Sequence, residues 1–384
     1  MGAAIMIIGV VMMIIIHEGG HFLAAKAFGM KATEAFFGFG PRLWSITRGE
    51  TEYGVKAIPF GGYVRIIGMN PFEEVAPEEE GRTYRVAPYW KKTVVVLAGI
   101  ASHFVVALIL LWLVATTWGV FVIGPDDEIV RTTTVAAVSE TVPGTSTPAP
   151  AFESGIQPGD IIVSTDGVPV VEWDDFSAFA EVRAGETVEI GVERDGQDLT
   201  LSTTLVTRER NVIEDGKVVR DANGDPVTET VGFFGITPEP EKDVLGPLEA
   251  VPAAFRQFGE VAVQSVVGLW KMVVSFPEVI GSIFGAGDEV LQEVRPISPI
   301  GLVQNAGALE QTLQLLAFVN IFVGVLNFVP LYPLDGGHFA VATYERVTGR
   351  EPNVQKLVPV AAVVFLFLVS LGLVGVYLDI FRPL

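Results

Sequence analysis

The chain has 384 residues, half of them hydrophobic, with a mean hydropathy of +0.47 and a formal net charge of −20. It is too apolar for an ordinary soluble domain and too acidic for a nucleic-acid binder, and it holds several runs of membrane-spanning length. With no cysteine, disulfides and cysteine-ligated zinc are excluded.

Residues 1–28 form the first expected span, apolar from about residue 5. It has no basic leader and no small-residue cleavage site, so it is expected to be retained rather than removed as a signal peptide. Inside it stands His17-Glu18-Gly19-Gly20-His21. On a helix, His17 and His21 are i and i+4, so both imidazoles leave one face and can bind one metal ion. Glu18 can then hydrogen-bond a water on that metal without ligating it. A five-residue pattern also arises by chance. Three ionisable groups inside a membrane-length apolar run are costly unless they serve a function, so a metal site is expected.

Residues 29–92 mix polar and apolar positions and carry nine Lys and Arg. Within them, 54–68 reads as two β-rich runs around Gly61-Gly62, a hairpin or looped sheet, and 71–81 as an acidic surface loop. Residues 93–124 form the second expected span, with His103 inside it. A lone histidine in an apolar helix is a satisfied structural group or, here, a neighbour of the metal site; the sequence leaves both open. Residues 125–243 make an acidic β-rich domain. Between 126 and 246 there are 25 acidic and 8 basic residues, an excess of 25 − 8 = 17 negative charges. Short strands are expected at 188–192 and 199–205 around Asp195-Gly196, a helix at 173–182, and a polar insertion at 208–230.

Residues 244–300 read as amphipathic interfacial helices, because Arg256, Glu260, Gln264 and Lys271 interrupt their apolar spacing. Lys271 and Pro277 oppose the alternative, a fifth span over 261–284. The third span lies within 301–338 and contains Asn320 and Asn327; residues 339–356 are a loop and 357–384 the fourth span. Arg346, Arg350 and Lys356 in that loop agree with the basic first loop. Both loops are then cytoplasmic, and both termini and the acidic domain lie outside.

Two histidines leave a zinc ion with an open position short of one protein ligand. Asp335 is the candidate, since Gly336 and Gly337 allow a helix to break at membrane depth beside protein or water. A helix-ending turn with a solvated carboxylate is the plainer alternative. Taken together, His17-Glu18-Gly19-Gly20-His21 and Asn327-Phe-Val-Pro-Leu-Tyr-Pro-Leu-Asp335-Gly-Gly-His338 resemble the site-2 protease family of intramembrane zinc proteases. Residues 155–170 are similar to the core of a PDZ domain, and Ile58-Pro59-Phe60-Gly61-Gly62-Tyr63-Val64 resembles the re-entrant β-loop of the bacterial branch. The pattern looks most like the single-PDZ, actinobacterial type of bacterial regulators of intramembrane proteolysis.

The resemblance implies a polytopic α-helical membrane protein with four transmembrane helices, a membrane-associated β-loop and an extracytoplasmic β-rich PDZ domain, set in the cell membrane. It implies a zinc metalloendopeptidase with Zn2+ on His17, His21 and Asp335 and with Glu18 as general base. Asn327 would help hold the substrate or the oxyanion, and Ile58, Pro59, Phe60, Gly61, Gly62, Tyr63 and Val64 would present an edge to an unwound substrate. The expected substrates are single-span membrane proteins such as anti-sigma factors, cut after a first cleavage by another protease and filtered by the PDZ domain. In Gly99-Ile100-Ala101-Ser102-His103-Phe104 the second span carries His where the family usually has Asn. That departure bears on any substrate-clamping role there and not on the zinc site. Three other readings compete with this one. A metal transporter would need more metal-binding groups, and no internal repeat is visible; a catalytically inactive PDZ scaffold is opposed by the intact Glu18. A membrane zinc protease for prenylated peptides takes a Glu as third ligand and has no Leu-Asp-Gly-Gly turn.

Overall fold

A computed structural model describes the chain apart from residues 71–72, 126–127, 144, 215–216, 222–225, 286–289, 292–293, 351–352 and 383–384. The side chain of Phe60 and the start of the acidic loop, Pro71 and Phe72, therefore lie outside the described residues. The chain divides into two compact units: Met1–Trp118 with Val244–Leu384, and Gly119–Asp243.

The helices in chain order are α1 (Gly2–Ala27) and α2 (Tyr89–Thr117); α3 (Pro150–Ser154) and α4 (Trp173–Glu181) in the second unit; then α5 (Ala250–Val274), α6 (Phe276–Ile283), α7 (Pro299–Gln304), α8 (Leu309–Phe328), α9 (Asp335–Thr348) and α10 (Val354–Phe381). Of these, α1, α2, α8 and α10 are long and apolar enough to cross a membrane. The helix α1 ends at Gly29, whose left-handed conformation (φ 77°) lets Met30 donate back to the Ala25 carbonyl at 3.0 Å.

Side-chain contacts fix the helix directions. Ala25 of α1 packs with Val95 and Val96 of α2, and Gly2 sits against residues 306–307 and Thr312 at the start of α8. Leu111 and Ala107 of α2 pack with Ala317 and Ile321 of α8. So α1 and α8 run parallel and α2 runs against them. Residues 1, 117 and 309 share one end of the bundle. The last turn of α10 is held at that end by Asp379, which is 2 % exposed. Its Oδ2 accepts the Ser298 N–H at 2.8 Å and its Oδ1 lies 3.5 Å from Arg295 Nη2.

Residues 244–300 depart from the surface helices expected. Here α5 starts beside the end of α2, where Trp112 Nε1 donates to the Pro247 carbonyl at 2.9 Å. Ala254 then packs with Leu111, and the Phe258 ring meets Phe104 edge-on at 5.2 Å. After a 62° bend, Phe276 meets Phe367 midway along α10 at 5.0 Å, and Val279 packs with Val374 and Leu378. Arg382 finally donates to the Ser282 carbonyl at 3.3 Å. The pair thus dips along the bundle and returns to the end it started from. A stripe of small and apolar side chains, Ala254, Phe258, Val261 and Ala262, faces α2 and α8, while Arg256, Glu260 and Lys271 are exposed off it. The interrupting charges thus lie off the packed stripe, together with the exposed apolar side chains of Val263, Val266 and Trp270.

The β region also differs in detail. Strands β1 (Ala32–Arg48) and β2 (Thr51–Ile66) are antiparallel, and each doubles back on itself. Residues 32–37 pair with 62–66 on one side and with 52–55 on the other, while 42–48 pair with 51–56. The edges of the sheet are therefore 62–66 and 42–48. The hairpin turn falls at Gly49-Glu50, where Gly49 takes φ 64°, and not at Gly61-Gly62. Gly61 (φ 92°) is instead a bend that swings 62–66 to the outer side of 32–37. Residues 339–356, expected as a loop, are largely helical: α9 continues to Thr348. Lys92 to Glu345 at 3.0 Å and Tyr89 to Thr343 at 3.2 Å tie it to α2.

In the second unit an antiparallel sheet has the order 236–240, 131–138, 161–165, 187–194, 197–204. It packs Val135, Ile162, Val188, Ile190 and Val192 against Trp173 and Phe176 of α4. Asp195 and Gly196, both at positive φ, make the two-residue turn expected of Asp-Gly. Asp160, 1 % exposed, receives two hydrogen bonds from Arg194 at 2.7 Å and one from the Gln157 N–H at 2.8 Å. The Arg194 guanidinium holds its carboxyl below the usual aspartate range. A depressed carboxyl adds stability above its unfolded value and loses it as pH falls through the folded one. Asp160→Asn should therefore destabilise the unit at neutral pH by removing the charge that accepts from Arg194. The gap to wild type should close below about pH 4, as read by hydrogen exchange of strands 161–165 and 187–194.

Candidate metal centre

The motif histidines sit in the lower half of α1, where it crosses α2. That crossing is close because neither helix carries a side chain there. A Cβ on Gly20 would stand 2.5 Å from the Ala98 carbonyl oxygen, and one on Gly99 would stand 2.2 Å from His21 Nε2. The Asp335 carboxylate comes from the first residue of α9. Its approach depends on Gly336 and Gly337, since a Cβ on Gly336 would meet the Val329 carbonyl oxygen at 2.3 Å. Without side chains at these two positions, the turn after α8 folds tightly onto the start of α9. Tyr332-Pro333 within that turn is cis.

Three ligand-type atoms converge. Asp335 Oδ2 lies 3.4 Å from His17 Nε2 and 3.2 Å from His21 Nε2, and the two Nε2 atoms are 3.3 Å apart. His21 Nδ1 is 2.8 Å from the Val95 carbonyl oxygen, an acceptor only, so Nδ1 carries the hydrogen and Nε2 presents its lone pair. Asp335 Oδ2 is buried with no hydrogen-bond donor among the described residues. A divalent cation between them would turn the facing lone pairs into bonds. A tetrahedral zinc with bonds of about 2.0–2.1 Å has ligand–ligand edges of about 3.3 Å. The trio fits zinc in donor type and in spacing.

Glu18 does not join the trio. It faces the sheet edge, with its carboxylate aimed at the Val64 N–H, and a Cβ on Gly62 would stand 3.2 Å from Glu18 Cγ. A cleft of about 180 Å³ lies there, lined by Ile14, Ile15, Glu18 and Gly19 of α1 and by Phe36, Gly62 and Val64 of the sheet. Gly19 has nothing within 4 Å of a built Cβ and so leaves the cleft open beside Glu18. A larger groove of about 720 Å³ follows Tyr63, Val64, Arg65 and Ile66 past Tyr332 and His338 to Leu357 and Ala361 of α10.

Of the residues expected at the site, His17, His21 and Asp335 are brought together, and Glu18 lies beside Gly62 and Val64. The Tyr63 hydroxyl instead donates to the Glu34 carboxylate and accepts from Lys56 Nζ at 2.7 Å, and Ile58 and Pro59 are exposed. Asn327 is half-buried in the last turn of α8. Sequence reasoning left His103 open and did not reach Gly20, Gly99 or the Val95 carbonyl. His103 is 2 % exposed, its ring 4.7 Å from that of His17. The only sequence signal for the glycines was their place in a helix that had no other reason to lose side chains.

The sequence profile of peptidase family M50 matches residues 5–371. Zinc metalloprotease Rip1 of Mycobacterium tuberculosis is 32% identical, over 100% of this chain and 98% of its own length. Zinc metalloprotease Rip1 of Mycolicibacterium smegmatis is 33% identical over the same shares. A putative zinc metalloprotease of Rhizobium meliloti is 28% identical over 88% of this chain and 85% of its own. Among solved structures, the PDZ domain of an SdrC-like protein from Listeria innocua covers 29% of this chain and 96% of its own at 22% identity, with a TM-score of 0.18. The chain belongs to peptidase family M50, the site-2 protease family of zinc metalloproteases.

Proposed function

We propose that the protein cleaves peptide bonds within or near the membrane segment of single-span membrane proteins, with His17, His21 and Asp335 holding zinc and Glu18 as general base. The observation that carries this is the convergence of His17 Nε2, His21 Nε2 and Asp335 Oδ2 inside apolar helices, with Glu18 between them and an unpaired strand edge. Zinc, when bound, acidifies a water and polarises the scissile carbonyl. Glu18 takes the proton of the attacking water and returns it to the leaving amine. Residues 62–66, paired on one side only, offer backbone N–H and C=O groups along which an extended peptide adds as a further strand. The groove along Tyr63 to Ile66 then receives the unwound segment. Such unwinding is needed because helical hydrogen bonds shield the carbonyls from attack.

The substrate class includes anti-sigma factors and similar regulators, trimmed first by another protease. Residues 119–243 act as the extracytoplasmic filter, in the role of a PDZ domain; their β-sheet and the Gly155-to-Val170 pattern support this reading. Four crossings support both termini lying on the same side as this domain, since α5 and α6 return to the bundle end they leave.

Three outcomes follow. Glu18→Gln should retain about one zinc per chain while cleavage of a single-span test protein falls by about 10²–10⁴-fold; activity surviving in the variant would remove Glu18 from the mechanism. Gly99→Ala should strip zinc by pushing into His21 Nε2, whereas Gly19→Ala should leave zinc content unchanged, both read by metal analysis of purified protein. The chain has no native cysteine. A single cysteine at Thr145 should therefore react with an impermeant maleimide on intact cells and one at Arg350 should not; the reverse would invert the topology.

A further inference from the structure

His103 lies outside the three converging ligands, yet both its ring nitrogens can be assigned a state. Its Nδ1 is 3.1 Å from Asn320 Oδ1 across α2 and α8. Asn320 Nδ2 donates to the Leu316 carbonyl at 2.8 Å, which commits the amide nitrogen and turns the amide oxygen to the histidine. His103 Nδ1 therefore carries the hydrogen, and Nε2 of the neutral ring is an acceptor. That acceptor is buried and has no partner among the described residues.

His17 has the complementary deficit. Its Nε2 faces His21 and Asp335, so its hydrogen is on Nδ1, which is also buried without a partner among the described residues. The Gly99 carbonyl lies near the His17 ring but does not meet His17 Nδ1 at hydrogen-bond geometry, and it accepts the Ser102 hydroxyl at 2.6 Å. The rings of His17 and His103 are 4.7 Å apart and tilted by 30°, and no direct hydrogen bond joins His17 Nδ1 to His103 Nε2. One water that accepts from His17 Nδ1 and donates to His103 Nε2 satisfies both. Two unmet groups of opposite kind on adjoining rings would otherwise each carry a desolvation penalty.

We propose that His103, oriented by Asn320, is the positioning residue for His17: through one buried water it fixes the tautomer and ring orientation that aim His17 Nε2 at the metal. His21 gets the same service directly from the Val95 carbonyl. The inference rests on the metal-centre reading above.

The test is zinc affinity of the purified full-length protein, by competition with a chelating dye, and it needs no substrate. His103→Phe keeps an apolar ring and removes the acceptor; zinc binding should weaken about 10–100-fold. His103→Gln restores an acceptor and should recover most of that loss. Asn320→Ala should weaken zinc as His103→Phe does, and combining the two should add little further. Packing alone would shift thermal unfolding of the metal-free protein and leave zinc affinity in place. Zinc affinity within twofold of wild type in His103→Phe, or in Asn320→Ala if the former fails to fold, would overturn the proposal with the metal centre intact. A wild-type protein that binds no zinc would overturn the metal centre itself.

Discussion

The first unit is built around one electrostatic constraint: three lone-pair donors held within 3.2–3.4 Å of one another in an apolar interior. A hydrogen between two of the donors relieves only one edge of the triangle. A divalent cation relieves all three. With zinc held by these three residues, as proposed above, metal binding and the packing of the unit would be coupled. The surrounding architecture makes sense as what keeps the three donors from moving apart.

That architecture works through absent side chains as much as through present ones. Gly20 and Gly99 set the depth of the α1–α2 crossing, and Gly336 and Gly337 set how tightly the chain after α8 turns into α9. Each contact replaces side-chain packing with backbone packing, which has few adjustable degrees of freedom. The ion pair of Lys92 with Glu345 fixes α9 to α2 beyond the site. The helix α10 is treated differently. It is lightly buried and is held near its end by Asp379 and along one flank by α6, so the groove beside the strand edge stays open along its other end.

What the sequence could tell follows the same division. Local chemistry was legible: His-Glu-x-x-His on one helix face, the Asp-Gly turn at 195–196 and the apolar lengths of four helices all rest on spacing along the chain. Pairing across distance was not. Nothing local showed that 32–48 would double back, with 32–37 between two strands and 42–48 at an edge, because its exposed Leu43, Trp44 and Phe39 do not alternate as a half-buried strand should. The return of α5 and α6 to their starting end was hidden for a related reason. Charged residues on a helix buried along one stripe read like those of a helix lying on a surface, and only the partners Leu111, Phe104 and Phe367 separate the two. His103 stayed ambiguous because its state is set by Asn320, 217 residues away.

The position of Glu18 joins the two kinds of information. As the residue after His17 on α1 it stands beside the three converging donors, and the bend at Gly61 brings the outer strand, 62–66, against it. A peptide laid along that edge would present carbonyls about every 6.6–6.8 Å on one side, so sliding it by two residues changes the bond offered without changing the geometry. The edge would therefore select for an extended backbone and be nearly indifferent to register. Any preference for one bond over the next would then come from the side chains of the groove, where Arg65, Glu73 and Glu74 stand among apolar residues such as Ile66, Met69 and Leu357.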